Sequence, residues 1–280
     1  VVEAKVVALI AVNRSGDPAA GVVVVQAFRR VALDPDRGSF GAGLELAIDS
    51  ILAAHADADF CLLTGDLADA GSDEAYAALS TALRRLPMPA YLLPGNHDSR
   101  DTMRRHFPQP PTDDGGFMQS ALDTPAGRFL LLDTVQAGAP WGSYCRERQE
   151  WLARQLAAAG DLPLYVAMHH PPLALGIPSM DQFALRDAEA LWSIIAPYKS
   201  HIRHLFFGHL HRPIGGSWRG IPFSCSSSPN HQVALDLTTL RGDEVPACRE
   251  PAGFAVILID ADSVVVHHQQ LFGGETTFWL

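Results

Sequence analysis

The chain has 280 residues, of which 48% are hydrophobic and 19% charged, and its formal net charge is −10 at pH 7. This length and hydrophobic content allow a sizeable core in one large domain or two small ones. The acidic balance, without a Lys/Arg cluster, excludes a surface that binds a nucleic-acid polymer through its phosphates. No apolar stretch has the length of a membrane span and no secretory signal is recognisable, so we expect a cytoplasmic protein that does not associate with membranes.

The beginning of the chain differs from the rest. Residues 6–12 predict an extra edge strand, and turn-prone residues follow at 13–18. The regular pattern of strands and helices begins only at residue 22. We therefore predict one domain over residues 1–280, with residues 1–21 as an atypical N-terminal extension.

From residue 22 onward, strand-like runs alternate with amphipathic helical patterns. Apolar runs predict strands at 22–26, 60–64, 91–94, 164–168 and 204–207. Apolar residues at helical spacing predict helices around 44–52, 72–86, 151–156 and 191–195. Ser72 is the predicted N-cap of the second helix, with acidic residues in its first turn. This alternation indicates parallel strands with helices packed on their faces.

After residue 211 the helical spacing disappears. Three runs there are predicted to be antiparallel strands, at 221–225, 254–259 and 264–267. Two sheets packed face to face, with helices outside, would accommodate all of these elements.

Four short polar clusters come directly after four of the predicted strands. They are Gly65-Asp66, Gly95-Asn96-His97-Asp98, His169-His170-Pro171-Pro172 and Gly208-His209-Leu210-His211. In open α/β sheets, ligands bind beyond the carboxyl ends of the strands, so we expect the four clusters to meet. Asp, Asn and His together supply the oxygen and nitrogen ligands of a divalent transition-metal or zinc site. Because the clusters must meet in space, a single domain is favoured over two.

In these clusters, and in Gly176-Ile177-Pro178-Ser179-Met180-Asp181, the chain resembles the calcineurin-like metallophosphoesterase superfamily. The closer resemblance is to its cyclic-nucleotide phosphodiesterase and glycerophosphodiesterase branch, from about residue 22 to 268. It implies an α/β fold, a four-layer αββα sandwich of two mixed sheets flanked by helices. It also implies a binuclear centre of divalent metal ions (Mn, Fe, Zn or Co), two per chain.

The resemblance also implies which residues hold the metals. Asp66 would bridge the two ions, and Asn96, His169 and His209 would complete the second site. His211 would join Asp66 at the first site. Of the adjacent pair at 169–170, the first histidine is the implied ligand, whereas the second packs or forms hydrogen bonds.

Other residues are implied to act on the substrate. Asn96, His97 and His231 would contact it, and His97 would stabilise the phosphoryl oxygens and protonate the leaving alkoxide. Asp98 is predicted to orient the imidazole of His97. His231 lies in a loop, 226–232, similar to one that carries a substrate-contacting histidine in the glycerophosphodiesterase branch; an exposed loop histidine without such a role is the alternative.

One part of the family pattern is missing. The family's first strand ends in Asp-x-His, two ligands of the first metal, whereas the aligned residues here are Arg29 and Val31. Asp66 and His211 alone give fewer protein ligands than the three typical of a catalytic site, so we expect the second metal to be more secure. Either residues 1–33 have diverged or the reading frame is disturbed there. The nearest residues that would substitute as ligands are Gln26, Asp34 and Asp36.

These observations predict a metal-dependent phosphodiesterase that hydrolyses small phosphodiesters, 3′,5′-cyclic nucleotides or glycerophosphodiesters, by a metal-activated hydroxide. The alternative is a catalytically weakened nucleotide- or phosphate-binding protein on the same fold, in which Arg29 holds a phosphate where a metal ligand is lost. A phosphomonoesterase or protein phosphatase with the same metals is a third interpretation. The expected partners are a small phosphodiester and a second copy of the chain in a homo-oligomer.

Overall fold

Two six-stranded mixed sheets form the centre of the protein. The computed structural model describes residues 9–12, 20–25, 42–108, 113 and 115–271, with the backbone alone for 9–12, 20–25 and 42. The strands described are β1 (Leu9–Val12), β2 (Ala20–Val25), β3 (Ala58–Leu63), β4 (Ala90–Leu92), β5 (Ser120–Thr124), β6 (Gly127–Leu132), β7 (Leu164–Met168), β8 (Ile202–Phe207), β9 (Ile214–Trp218), β10 (Ile221–Cys225), β11 (Gln232–Val233), β12 (Ala247–Cys248), β13 (Gly253–Ile259) and β14 (Val264–Gln270). The α-helices described are α1 (Ala42–Ala54), α2 (Asp73–Leu83), α3 (Arg100–His106), α4 (Arg146–Ala157), α5 (Pro178–Asp181) and α6 (Ala188–Ile195).

The first sheet has the strand order β14-β13-β1-β2-β3-β4, and the second has the order β5-β6-β7-β8-β10-β9. Strands β2, β3 and β4 are parallel to one another, as are β6, β7 and β8. A separate two-stranded sheet pairs β11 with β12. The predicted parallel strands are therefore confirmed, and they are divided between two sheets.

One prediction of strand position is wrong. Strand β1 is predicted at a sheet edge, but it lies between β13, to which it is parallel, and β2, to which it is antiparallel. Strands β10 and β13 pair antiparallel with β9 and β14, as predicted, and each also has a parallel partner, β8 and β1 respectively. A local hydrophobic pattern does not identify these parallel partners.

Alternation along the strands brings the two sheets together. In the second sheet, Phe129, Tyr165 and Phe206 face the first sheet, where Phe60 packs edge-on against Phe129 with ring centroids 5.1 Å apart. The intervening residues of the same strands, such as Leu130, face outward into a second core. Because successive side chains of a strand point to opposite faces, each strand of this sheet serves both cores.

Helices cover the outer faces, as the sequence predicted. Apolar residues of α1 and α2 belong to one buried cluster with residues of the first sheet. Those of α4 and α6 belong to another, with residues of the second sheet. Helix α2 begins as predicted, since the Ser72 side chain accepts a hydrogen bond from the Ala75 N–H at 3.2 Å. The architecture is the predicted α/β sandwich of mixed sheets flanked by helices. Within the described residues, every helix is too short or too polar to span a bilayer.

The polar clusters of the sequence lie just beyond four strand ends. Asp66 follows β3 and Asn96 follows β4 in the first sheet, while His169 follows β7 and His209 follows β8 in the second. Since β3 is parallel to β4 and β7 to β8, each pair of clusters emerges at one edge of its sheet. The packing of the two sheets then brings the pairs together.

Candidate metal centre

Three side chains converge on one atom, Nε2 of His169. Asn96 Oδ1 lies 3.1 Å from it, His209 Nδ1 lies 3.2 Å from it, and Asp66 Oδ1 lies 3.4 Å from it. Asp66, His169 and His209 are buried. The four residues predicted for the second metal site are therefore together, with two oxygen and two nitrogen atoms facing one point.

The imidazole of His169 is held from behind. Its Nδ1 donates a hydrogen bond to the Thr64 carbonyl at 2.7 Å, because a carbonyl oxygen can only accept. The Nε2 atom is thereby directed at the other three side chains, as in metal-ligating histidines whose second nitrogen bonds to the backbone.

Three motif glycines make room for this ring. A Cβ atom at Gly95 would lie 2.7 Å from His169 Cε1, one at Gly208 would lie 2.7 Å from His169 Nδ1, and one at Gly65 would lie closer still to Nδ1. These distances are below ordinary van der Waals contact. The glycines are needed here for the close approach of three loops to one imidazole.

Three of the predicted ligands have a left-handed backbone. The φ angles are 59° at Asp66, 70° at His209 and 47° at His211. Non-glycine residues seldom adopt this conformation, and where it persists the surrounding structure must impose it, most often at functional sites. One of these residues follows β3 and two follow β8, so the loops after both strands adopt backbone conformations that present particular side chains.

Asp98 ties the first two loops together. Its carboxylate accepts hydrogen bonds from the N–H groups of Leu67 at 2.8 Å, Ala68 at 3.0 Å and Gly95 at 2.8 Å, and from the Tyr76 hydroxyl at 2.8 Å. Burial and the charge of nearby Asp66 raise the pKa of Asp98 to about 6. The prediction that Asp98 orients the ring of His97 is wrong, since its oxygens are engaged by backbone and tyrosine donors.

The acid beside the His97 ring is Asp69 instead. Asp69 Oδ1 lies 3.7 Å from His97 Nδ1, and both side chains are about one-quarter exposed, at 28% and 25%. The backbone N–H of His97 donates to Asp66 Oδ1 at 3.0 Å, which sets the ring next to the cluster of ligands. The sequence did contain a signal for Asp69, an acid three residues after Asp66 on the same loop.

The charges of the site favour a bound cation. Burial alone would raise the pKa of Asp66, but the imidazoles of His169, His97 and His209 outweigh it and hold this pKa well below the ordinary value. Burial lowers the pKa of His169, and the charge of Asp66 outweighs that and raises it. Burial and the neighbouring His169 lower the pKa of His209 to about 3. The Asp66 carboxylate thus keeps its charge and the His209 imidazole stays neutral, as metal binding requires of both. At His169 a metal ion would replace the proton that the charge of Asp66 favours.

The spacing fits a metal ion. Ligand atoms about 2.0–2.2 Å from a tetrahedrally bound ion lie about 3.3–3.6 Å from one another, and the distances from His169 Nε2 are 3.1, 3.2 and 3.4 Å. His169, His170 and His209 also form a buried group whose ring nitrogens lie within 4.8 Å of one another. His170 Nδ1 is 2.8 Å from Thr134 Oγ1, which confirms that this histidine forms a hydrogen bond.

His211 and His231 lie beside this cluster. Their ring centroids are 4.8 Å apart, and both rings line the same cavity as Asp66 and His209. Burial first, and then the neighbouring His231, hold the pKa of His211 well below its ordinary value. The structure therefore places His231 near the predicted first metal site. Arg29, Val31, Gln26, Asp34 and Asp36, which bear on that site, lie outside the described residues.

The cavity has a volume of about 540 Å³ and is lined by two unlike sets of residues. One set, which we call the metal end, is the polar cluster just described, together with His97. The other set consists of seven apolar residues, which we call the apolar wall: Ala139, Pro140, Met180, Phe183, Val233, Val245 and Ala247. The carboxylate-bearing Asp243 also lines the cavity. Apart from Met180, which lies in a segment typical of one phosphodiesterase branch, no sequence pattern indicates the wall.

The chain is similar to known phosphoesterases. A family model described as calcineurin-like phosphoesterase matches residues 42–213. A probable cyclic nucleotide phosphodiesterase of Rhodopseudomonas palustris is 39% identical over 227 residues, which cover 80% of this chain and 82% of the relative. A probable glycerophosphodiester phosphodiesterase of Arcobacter nitrofigilis is 32% identical over 181 residues, covering 64% of this chain and 66% of the relative.

Solved structures show the same fold. A dimetal phosphatase from Danio rerio aligns with a TM-score of 0.61 at 14% sequence identity, covering 83% of this chain and 87% of that one. At this sequence identity the alignment shows a shared fold only. The relationship to phosphodiesterases rests on the sequence relatives.

Proposed function

The chain belongs to the calcineurin-like phosphoesterases, and on that premise we propose that it is a metal-dependent phosphodiesterase that hydrolyses small phosphodiesters, with 3′,5′-cyclic nucleotides as its substrate class. The observation that carries the proposal is the convergence of Asp66, Asn96 and His209 on His169, with the His97 imidazole at the edge of the same cavity. Nitrogen and oxygen ligands of this kind suit Mn, Fe, Zn or Co.

The predicted metal ligands would divide between two ions. Asp66 would bridge them, since a carboxylate offers two oxygens, and Asn96, His169 and His209 would complete the second site. His211 would serve the first site with Asp66. When bound, the ions would supply an activated water and offset the negative charge of the phosphate. The second site would have four protein ligands, whereas the described residues supply only two to the first.

His97 would act on the phosphoryl group. Its ring lies at the surface of the cavity, and its backbone is anchored to Asp66, so its distance from the ligand cluster is fixed. A protonated imidazole there would balance charge on the phosphoryl oxygens and donate a proton to the leaving alkoxide. The neighbouring carboxylate of Asp69 would hold the ring in that orientation.

The apolar wall favours a nucleotide over a glycerophosphodiester. A nucleobase presents a flat apolar face to residues such as Met180 and Phe183, whereas glycerol has no apolar face to place against them. His231, near the metal end, would contact the sugar or the phosphate. The R. palustris relative, named a cyclic nucleotide phosphodiesterase, supports this choice.

The proposal is tested by metal content and turnover measured together. We expect about two divalent ions per chain after reconstitution with Mn²⁺, and hydrolysis of cyclic AMP with a kcat/KM well above that for glycerophosphoethanolamine. About one ion per chain with phosphate or nucleotide binding but no turnover would favour the weakened binding protein. Faster turnover of phosphomonoesters than of diesters would overturn the diesterase assignment.

Two broader parts of the prediction go with this proposal. We take residues 1–280 to form one domain, because the candidate site draws on loops from Asp66 to His231. The weakened binding protein depends on Arg29 and Val31, outside the described residues, and among the described residues no observation favours it over the diesterase.

A further inference from the structure

A buried arginine joins the metal end of the cavity to its apolar wall. Arg212 directly follows His211 in the chain and is 9% exposed. Its Nη1 donates hydrogen bonds to the Val233 carbonyl at 2.6 Å and to Glu250 Oε1 at 3.0 Å, and lies 3.8 Å from Cys248 Sγ. The guanidinium therefore contacts residues of the small sheet, β11 and β12, from the loop that presents His209 and His211.

The small sheet has few other connections. Each of its strands is two residues long, and it pairs Gln232 with Cys248 and Val233 with Ala247. One further backbone hydrogen bond, from the Ala234 N–H to the Pro246 carbonyl at 2.7 Å, extends it. A two-stranded element of this size is not stable by itself, so its position depends on side-chain anchors.

This small sheet carries functional surface. Val233 and Ala247 belong to the apolar wall, and His231 lies two residues before Val233. The Gln232 side chain closes the loop between them, accepting from the Ser228 N–H at 3.0 Å and donating to the Ser228 carbonyl at 2.7 Å. A shift of Val233 would therefore move His231 as well.

We infer that Arg212 is a positioning residue that fixes the apolar wall and His231 at a set distance from the metal ligands, and thereby governs how tightly the substrate's nucleoside part binds. The inference rests on the proposed function, because the wall matters only if a phosphodiester with a large ester group occupies the cavity.

The energetics single out the Val233 bond. Glu250 is 46% exposed, and an ion pair with a half-exposed carboxylate contributes little. The carbonyl of Val233, a residue only 3% exposed, has no such access to water and would lose its charged donor if Arg212 were shortened. Lysine keeps the charge but, with one compact ammonium, cannot reproduce the branched geometry of the guanidinium.

The test compares Arg212→Gln and Arg212→Lys with Glu250→Gln as the matched control. Amide hydrogen exchange at residues 232–234 and 247–248 should become about tenfold faster in Arg212→Gln, less so in Arg212→Lys, and stay near wild type in Glu250→Gln. This readout needs no enzymatic activity. It therefore tests the anchor even if the proposed function fails.

Kinetics test the functional consequence. The KM for cyclic AMP should rise about tenfold in Arg212→Gln, whereas the KM for glycerophosphoethanolamine, whose ester groups carry no apolar ring to place against the wall, should change much less. Metal content should be unchanged. Equal losses for the two substrates together with loss of metal would overturn the inference and make Arg212 a support of the histidine loop. Unchanged exchange and unchanged KM would also overturn it. If the wild-type protein hydrolyses neither ester but Arg212→Gln still accelerates exchange, the proposed function fails and the anchor remains.

Discussion

The metal end and the apolar wall of the cavity are built in different ways. The metal end rests on the ends of four strands from two packed sheets, and Asp66, His169 and His209 there are nearly inaccessible to solvent. The wall rests on the four-residue helix α5 and on two strands of two residues each. Beyond β11 the loop exposes three leucines, Leu235, Leu237 and Leu240, at 60%, 58% and 56%.

This structural difference indicates that the metal end carries the chemistry and the apolar wall the substrate specificity. Metal ligands must be held to a fraction of an ångström, and only the packed ends of the central strands provide that precision. A wall that selects among ester groups can be built from peripheral loops, which tolerate change without disturbing the core. We therefore expect substitutions at the metal end to affect kcat and metal binding, and substitutions in the wall to affect mainly KM.

The largest effect is expected at Asp66. Asp66→Asn removes the charge that both ions would share, so phosphodiesterase turnover should fall by more than about 10³-fold with loss of bound metal. Inductively coupled plasma analysis and cyclic AMP hydrolysis measure the two effects. Asp262→Asn, at an exposed turn, is the matched control and should behave as wild type. Near wild-type turnover with full metal content in Asp66→Asn would show that the site is elsewhere.

His97→Ala should separate catalysis from metal binding within the same end of the cavity. Turnover should fall by about 10²–10⁴-fold while metal content stays unchanged, because the imidazole is placed to act on the substrate. The loss should be smaller for 4-nitrophenyl esters, since their leaving groups do not need a proton. An equal loss for alkyl and aryl esters would leave His97 a phosphate-binding role only.

Gly208→Ala tests how tightly the strand ends are packed. The added Cβ would overlap the Thr64 carbonyl oxygen and lie 2.7 Å from His169 Nδ1, so the two strand ends and the imidazole must move and metal affinity should fall by about 10–100-fold. Gly215→Ala in β9 is the control, because the nearest heavy atom to its Cβ would be 3.9 Å away. Calorimetric titration with Mn²⁺ measures both. Wild-type affinity in Gly208→Ala would mean that the loops adapt more freely than their contacts indicate.

Phe183→Ala should have the smallest effect and belongs to the wall. Loss of an apolar ring that contacts a nucleobase should raise the KM for cyclic AMP about three- to tenfold, with metal content and kcat nearly unchanged. Steady-state kinetics with cyclic AMP and glycerophosphoethanolamine, which has no ring to contact Phe183, provide the comparison. A fall in kcat of the size seen for His97→Ala would remove the distinction between the two ends.

The sequence was informative where the cause is local. The helices, the Ser72 N-cap and the parallel strands could be predicted because hydrophobic period and capping are properties of neighbouring residues. The convergence of Asp66, Asn96, His169 and His209 could be predicted because each follows a strand of a parallel pair and such strand ends meet.

What the tertiary structure alone decided involves contacts between residues far apart in the chain or directions of side chains. It placed β1 inside a sheet through its pairing with β13, engaged Asp98 with backbone amides, and set Asp69 beside His97. It also brought Arg212 to the carbonyl of Val233 and assembled the apolar wall from separate loops. No periodicity in the sequence encodes these contacts, because they arise only when two sheets and their loops pack to a common geometry.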